Sequence, residues 1–473
     1  MATKPTKTAE MTPERSVRLM NAIRRTSGAA YAEGVPQIYL AGQTVDGKKI
    51  SHHESLATLR AYGQAVLANS DFSNQFISAL VNRIAKVEIF SRLYENPLKF
   101  CLQGLLEYGE SLELTFVEMA KGYQFDPKDA ETTLFKRYIP NVHSAIVKVN
   151  FRKYYPTSIE PQLLRGAFLS FDGLSKLEAH IHQQVTTGIE YDTYEITKYL
   201  MARAILRGEM KVVDVPNIDS VTSTPEDAKT FTKIAVTHAL NMKFFNREYN
   251  YAGVNTYTDI DDLYTFVTPS VKASQDVEVL AAAFNEDYAK ISGRQVLIDG
   301  FGMLDVPRLN DLFKEDVNGI YTPLTANDLK VLAQVGAVMV DKDYLQIYDN
   351  LMETRQVENG KGLYWTYFFH VWRLFAVNVF TNAVCLYEEG YPFVGQVTPG
   401  FVVKNGEAVL LEAEVVGTTN KGVTWGLEKG SINGVTLSGN SLTVDESCTE
   451  KVITLKITTT DGSHEYLRDI NVI

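Results

Sequence analysis

The sequence predicts an α+β body followed by a separate all-β sandwich, and three observations carry that fold class. Apolar residues recur at three- and four-residue steps through Leu163–Arg207, the spacing of one buried helix face. Aromatic and β-branched runs bounded by turn residues fill 335–388 as strands. Beyond Gly390-Tyr391-Pro392 helical periodicity stops, and short alternating runs separated by turns take over.

The chain has 473 residues, 45% of them hydrophobic, enough for two or three domains with a sizeable core. An aromatic share of 11% points to extended interfaces, because aromatic side chains dominate cores and subunit contacts alike. A formal net charge of -11 argues against nucleic acid as a tightly held ligand, which needs clustered Lys and Arg. It leaves room for lying near nucleic acid without gripping it. Cys101, Cys385 and Cys448 are widely spaced and odd in number, the pattern of reduced thiols and not of a disulfide framework. The N-terminal residues are polar and carry no apolar export core, so the expectation is a protein made and used in a cytoplasm.

In chain order, residues 1–12 read as a flexible lead. Thr12-Pro13-Glu14 starts a helix with Thr as cap and Pro in the first turn. Its apolar Val17, Met20 and Ile23 against Arg15, Arg18, Arg24 and Arg25 leave two readings open: an arm docked on a neighbour, or a helix covering its own domain. Residues 34–55 are turn-rich, with a turn signal at Asp46-Gly47. From Ser70 the step Phe72, Phe76, Leu80, Ile84 predicts a helix. Residues 86–120 read as strands broken at Asn96-Pro97 and Tyr108-Gly109. Asp126-Pro127 opens a short helix that Ile139-Pro140-Asn141 ends, and Val142–Tyr155 alternates as a strand. Strand, excursion and strand with polar faces make a long protruding hairpin with little core of its own.

The helix at 163–207 follows, with Phe168, Phe171, Leu174, Leu177, Ile181 and Val185 on one face. Residues 210–340 form an α/β region. Its strands are expected at Glu209–Val215, Leu263–Thr268, Arg294–Ile298 and Val335–Val340, and its helices at Thr224–Met242 and Asp276–Phe284. The run Asp341–Asn350 reads as a strand that leads through the hairpin signal Asn359-Gly360 into Gly362–Leu386. There Tyr364, Trp365, Tyr367, Phe368, Phe369 and Trp372 fall on both parities, so a strand covered on both faces is expected. His370, Arg373, Asn378 and Asn382 interrupt the run and argue against a membrane span. In the tail, alternating runs at Phe401–Val403, Val409–Val415, Gly422–Trp425, Ser441–Val444, Val452–Thr459 and Tyr466–Val472 fit an immunoglobulin-like sandwich around Trp425, joined by a short linker near 388–396.

Motifs that carry chemistry are scarce. Gly300-Phe301-Gly302 lacks the third glycine of a phosphate loop and reads as a turn. His180 and His182 point to different helix faces, and His52-His53 lies in a turn-rich segment, so neither pair is expected to hold metal. Asp259-Ile260-Asp261-Asp262 lacks the alternation and distal Glu of a calcium loop and reads as a solvated turn. No nucleophile elbow is present. The residues alone imply a soluble, two-part protein that packs and does not catalyse: no catalytic, cofactor-binding or metal residues are expected.

Specific residues then carry a resemblance. Val340-Asp-Lys-Asp-Tyr-Leu-Gln-Ile-Tyr-Asp-Asn-Leu351, Gly362-Leu-Tyr-Trp-Thr-Tyr-Phe-Phe-His-Val-Trp372 and Phe380-Thr-Asn-Ala-Val384 closely resemble the major capsid proteins of small Picovirinae-type (Salas-type) podophages, which infect Gram-positive bacteria. Asp71-Phe72, Ile77–Leu80, Asn96-Pro97-Leu98, Pro140-Asn141-Val142, Val279–Asn285 and Ile298-Asp299-Gly300-Phe301 extend the similarity, in order, over most of 70–388.

The resemblance implies the Johnson (Hong Kong 97-like) capsid fold over 70–388, preceded by an N-terminal arm at 1–69. Within it, 98–160 would be the extended loop that overlaps a neighbouring subunit and 165–207 the spine helix. Residues 210–340 would be the axial domain and 341–388 the return strands of the peripheral domain. Residues 396–473 are similar to bacterial Ig-like group 2 (BIG2) domains through Val397-Thr398-Pro399, Gly406, Leu411–Val415, Val423-Thr424-Trp425 and Thr459–Gly462. Gly426-Leu427 departs from the usual Ser-Ser after the Trp.

The implied activity is self-assembly into pentamers and hexamers of an icosahedral or prolate shell that encloses double-stranded DNA without sequence-specific binding. A scaffolding protein during assembly and a portal or connector at one vertex are the implied partners. No cofactor, enzyme activity or membrane partner is implied, and the location would be the virion, assembled in the host cytoplasm. The alternative is a bacterial surface adhesin or carbohydrate-active protein with an Ig-like accessory domain.

Overall fold

The structure, a computed structural model, describes residues 13–69, 71–76, 79–80, 96–106, 109, 111–123, 135, 137–139, 141–159, 166–218, 223–274, 294–314, 320–362, 364–398, 402–460 and 464–472. The lead at 1–12, the short helix opened at Asp126 and the helix expected at Asp276–Phe284 lie outside these residues.

The helices are α1 (Pro13–Thr26), α2 (Ala29–Gly34), α3 (His52–Ala68), α4 (Phe171–Leu206), α5 (Pro225–Met242), α6 (Pro269–Ser274), α7 (Val306–Leu312) and α8 (Ala326–Ala333). The strands up to residue 297 are β1 (Thr44–Val45), β2 (Lys48–Lys49), β3 (Leu102–Leu105), β4 (Ser111–Val117), β5 (Val142–Lys148), β6 (Phe151–Ile159), β7 (Lys211–Val215), β8 (Leu263–Val267) and β9 (Arg294–Leu297). Four longer or central strands follow: β10 (Val335–Asp341), β11 (Leu345–Asn359), β12 (Tyr364–Val377) and β13 (Ala383–Glu388). The tail holds β14 (Phe393–Thr398), β15 (Val402–Val403), β16 (Glu407–Leu410), β17 (Glu412–Val416), β18 (Val423–Leu427), β19 (Val435–Ser438), β20 (Ser441–Val444), β21 (Val452–Thr459) and β22 (Glu465–Val472).

The chain divides into two compact units: Met1–Lys99 with Phe151–Tyr194 and Asp349–Arg373, and Phe100–Asn150 with Glu195–Tyr348 and Leu374–Ile473. The first unit is built on one helix-covered sheet face. Along β12, Trp365, Tyr367, Phe369, Val371 and Arg373 are buried, while Tyr364, Thr366, Phe368, His370 and Trp372 between them are only half-buried. Trp365, Tyr367 and Phe369 join Val17, Met20 and Ile23 of α1, Leu59, Tyr62 and Val66 of α3, and Phe76, Phe168 and Val185 in one core. Of the two readings open for α1, this packing favours the helix that covers its own domain. Each large apolar side chain so buried contributes about 1.5–3 kcal/mol.

The expectation that this strand is covered on both faces is corrected over its first nine residues. Its even-numbered side chains meet β6 and not a second layer: β6 pairs with β12 antiparallel, Trp372 opposite Arg152 and Phe368 opposite Pro156. Arg152 stacks its guanidinium 5.0 Å from the Trp372 ring, and Tyr154 lies edge-on to Phe368 at 5.5 Å. Neighbouring rings and a stacked cation shelter one another enough to leave that face half-wet. From Arg373 onward both faces of β12 are buried, as expected.

Helix α3 begins inside 34–55, read as turn-rich, and ends at Ala68, before the helix expected from Ser70. Its start is a capping box, the Ser51 hydroxyl accepting from the Glu54 N–H at 3.3 Å and the Glu54 carboxylate from the Ser51 N–H at 2.8 Å. The turn at Asp46-Gly47 joins β1 to β2 with both residues at positive φ, 48° and 79°.

In the second unit a five-stranded sheet runs in the order β7-β13-β10-β8-β9. Strand β13 is buried at every residue, parallel to β7 and antiparallel to β10. Helix α5 covers the sheet with Ala228, Phe231, Ala235, Ala239 and Met242, the three- and four-residue step read in the sequence. Its cap is Thr224, in a capping box with Asp227. Residues 342–344, expected as strand, instead turn the chain, the Asp341 carboxylate accepting from the Asp343 N–H at 2.9 Å.

The tail is all-β, with strand orders β15-β22-β21-β18, β16-β20-β19 and β14-β17. Leu442, Val444, Ile453, Leu455, Ile457 and Ile470 centre its core, and Trp425 packs half-buried against it. The stretch read as linker is ordered: β14 begins at Phe393, and the Tyr387 hydroxyl donates to the Tyr391 carbonyl at 2.8 Å. Gly417, at φ +74°, lets the next turn close, since a Cβ there would meet the Tyr391 carbonyl at 2.1 Å. Its N–H donates to the Asp214 carboxylate at 2.7 Å, and Lys421 pairs with the same carboxylate. The buried Arg468 donates to the carbonyls of Val394, Gly395 and Leu467.

Candidate assembly surface

Strands β4 and β5 pair antiparallel from Ser111–Lys148 to Val117–Val142. Alternation is regular on both, yet neither face reaches full burial: Leu112, Leu114, Phe116, His143, Ala145 and Val147 are half-buried, and the opposite rows exposed. A two-stranded ribbon with no buried face is marginal by itself in water. Contacts within its unit steady both ends. The Phe116 ring stacks on Phe380 at 6.0 Å, and Asn150 exchanges two hydrogen bonds with the Phe375 backbone at 2.7 and 3.0 Å. That exchange breaks the strand expected at Val142–Tyr155 into β5 and β6.

The ribbon and its tip hold much of the exposed apolar surface of the described chain. Val117 is 56% exposed, Ile146 66%, Phe135 88% and Ile139 84%, and the exposed Tyr123 and Tyr138 rings meet at 4.8 Å. Large apolar side chains concentrated on one segment in this way mark a surface made to be covered. Glu118 adds a polar clip near the tip: hydrogen bonds from Asn141 and His143 hold its carboxyl below the usual range. A second exposed group, Leu240 in the last turn of α5 with Phe244, Phe245 and Tyr257 beyond it, brings the Phe245 and Tyr257 rings to 4.8 Å. Sequence reasoning missed this group, although Phe244-Phe245 immediately after a helix end was the available signal.

The residues singled out for chemistry are not brought together. His52 and His53 are exposed on the first turn of α3, and the side chains of His180 and His182 lie outside the described residues. Asp259 caps the Ile260 N–H at 2.8 Å and Asp262 pairs with Lys342 at 3.0 Å, structural uses for an acidic turn. Gly300-Phe301-Gly302 is a turn, and a Cβ at Gly302 would meet the α8 backbone at 3.0 Å. Cys101, Cys385 and Cys448 are buried free thiols, and burial pushes Cys101 up to about 12. Among the described residues no three His, Cys, Asp or Glu side chains converge on a metal-sized site.

A mixed helix–strand body with apolar side chains exposed along one ribbon fits a protein that packs against other chains. Residues 20–387 match the family model described as Phi29-like phage major capsid protein, and the chain belongs to that family. The major capsid protein of Bacillus phage B103 is 31% identical over 95% of this chain and 91% of its own length. That of Bacillus phage GA-1 is 30% identical over 82% and 78%. The solved capsid structure of Staphylococcus phage Andhra is similar to 64% of this chain and covers 86% of its own, at 14% identity and a TM-score of 0.48. The protein is a phage major capsid protein, a structural component of the virion that associates with its own kind. The adhesin or carbohydrate-active alternative finds no support in these comparisons.

Proposed function

We propose that the chain forms pentamers and hexamers of an icosahedral or prolate shell around double-stranded DNA, and that its body is the Johnson (Hong Kong 97-like) fold. The single observation that supports this best is the β4–β5 ribbon, whose apolar residues face solvent in one subunit. In this reading 98–160 is the extended loop that covers a neighbouring subunit, α4 the spine helix, 210–340 the axial domain and 341–388 the peripheral return strands. The tail is a BIG2-type immunoglobulin-like domain on the shell exterior. Each contact can be weak: a millimolar interface is worth about 4 kcal/mol, and several per subunit, closed into a shell, hold it.

A scaffolding protein guides assembly in the host cytoplasm and a portal occupies one vertex. With a net charge of -11 the inner wall encloses DNA without gripping it, since phosphate contacts would obstruct filling. The test is electron microscopy of Phe135→Ser/Ile139→Ser subunits co-expressed with the scaffolding partner. Both side chains are more than four-fifths exposed, so subunit denaturation should be unchanged while shells fail to form. Shells at normal yield would remove the ribbon from the assembly contact. Free subunits that bind DNA strongly at low salt would overturn the passive inner wall.

A further inference from the structure

Lys198 of α4 is a buried charge outside both exposed groups, with no side-chain exposure at all. Its Nζ lies 2.9 and 3.0 Å from the two carboxylate oxygens of Asp299 and 3.1 Å from Glu195 Oε1, and donates to the Met303 carbonyl at 2.6 Å. Glu195 is itself 3% exposed, and its Oε2 accepts from the Asp305 N–H at 2.9 Å. An amine, a carboxylate and a second carboxyl held in contact are the groups that amide formation requires, and two of the three, Lys198 and Glu195, are shielded from water. We propose that Lys198 and Asp299 close an intramolecular isopeptide bond, with Glu195 as proton relay.

The step balances without a co-reactant. A proton passes within the ion pair, leaving a neutral Lys198 amine and a neutral Asp299 carboxyl. The amine nitrogen attacks Asp299 Cγ, forming the C–N bond. Glu195 donates a proton to the departing hydroxyl and takes up the one shed by nitrogen, so the C–O bond breaks and one water leaves. Burial holds the Glu195 carboxyl above its ordinary range, the direction a proton relay calls for. Attack needs the carboxylate plane turned toward Nζ, a rotation about the soft terminal torsion of Asp. The Asp299 side chain is 48% exposed, which gives the water an exit. The bond would tie α4 to the Asp299-Gly300-Phe301-Gly302 turn across 101 residues, stabilising as a cross-link that restricts the unfolded chain.

Intact-mass spectrometry of the purified, denatured full-length chain decides it. The expected mass is lower than the sequence mass by one water, and a protease digest should yield one branched peptide carrying both Lys198 and Asp299. Lys198→Met should restore the full mass. Glu195→Gln, with an unchanged circular dichroism spectrum, should leave most of the chain at full mass. Wild-type chain at full mass, with Lys198 and Asp299 in separate linear peptides, overturns the proposal. So does a water loss that persists in Lys198→Met, which would place the dehydration elsewhere.

Discussion

Replacing Trp365 and Trp372 by Ala, one at a time, separates core from surface on a single strand. Trp365 is 8% exposed in the helix-covered core, and a buried Trp→Ala change costs about 3–5 kcal/mol through lost transfer energy and the cavity left behind. One term works against this: the Trp365 Nε1–H is buried and finds no acceptor among the described residues. Removing an unsatisfied buried donor recovers about 1–3 kcal/mol, so the net loss should sit near the low end, about 2–3 kcal/mol. Trp372 is half-buried on the opposite face, where its main specific contact is the Arg152 cation. A cation–π contact at a wet site is worth about 0.5–1 kcal/mol, and partial burial brings the expected loss to no more than about 2 kcal/mol. Urea denaturation of soluble subunits, with matched slopes, measures both. Trp365→Ala should lose the greater stability and the greater soluble yield, and Trp365→Phe, which deletes the orphan donor with a smaller cavity, should fall between it and wild type. Equal losses at the two positions, or a larger loss at Trp372, would refute the one-sided burial of β12.

Three further outcomes follow from polar groups. Arg468→Met should loosen the tail by about 2–4 kcal/mol, because several backbone carbonyls lose their donor together, and limited proteolysis should then cut within 388–398. Arg468→Lys should not rescue it, since an ammonium cannot reproduce the fork of donors. His238 should make stability fall in mild acid. Burial first, and the nearby Lys211 second, hold its pKa below the ordinary 6.5, so the neutral ring belongs to the fold. A depressed cation stabilises fully above 6.5, and the contribution is lost as pH falls below that value and the unfolded chain takes up the proton. Denaturation midpoints measured from pH 7 to pH 5 should therefore fall in wild type and flatten in His238→Gln, which keeps a donor for Tyr249, 2.9 Å away. Asp214→Asn should weaken the tail seam only slightly, because Lys421 is half-exposed and screened, and the loss should shrink further in high salt.

The sequence was most legible where a pattern had one physical cause. The step along α5 and its Thr224 cap, the parity of β21 and β22, and the Asp46-Gly47 turn each follow from a local rule, and each appears at its expected place within a residue or two. Helix α3 escaped because Gly63 and the polar His52-His53 start obscure its periodicity. The space Gly63 leaves is filled by Phe168, whose Cβ would lie 2.5 Å from an added methyl group, a tertiary fact no local pattern records. The half-wet face of β12 was illegible for a related reason. Phe368, His370 and Trp372 look like core residues by composition, and only pairing with β6 shows that Arg152 and Tyr154, not a second layer, cover them. The candidate assembly surface was half legible: the polar-faced ribbon could be read from alternation, but the Leu240–Tyr257 group depends on where α5 ends.

The contrast between the tail seam and the β4–β5 ribbon gives an order of events. Arg468 and Asp214 are satisfied within one subunit, so the free chain already gains what they contribute. The ribbon gains little until another surface covers Val117, Ile146, Phe135 and Ile139. Burying apolar area at about 25 cal/mol per Å² is then a gain of association and not of folding, reduced by the entropy of ordering the ribbon. A contact divided in this way stays weak between two subunits and strengthens when several form together, which favours closed shells over stable dimers. Dilution should therefore leave monomer and shell in solution with little of any intermediate. Sedimentation velocity that finds dimers as the dominant species across a hundredfold dilution would show that the ribbon buries its apolar face in pairs, not in a shell.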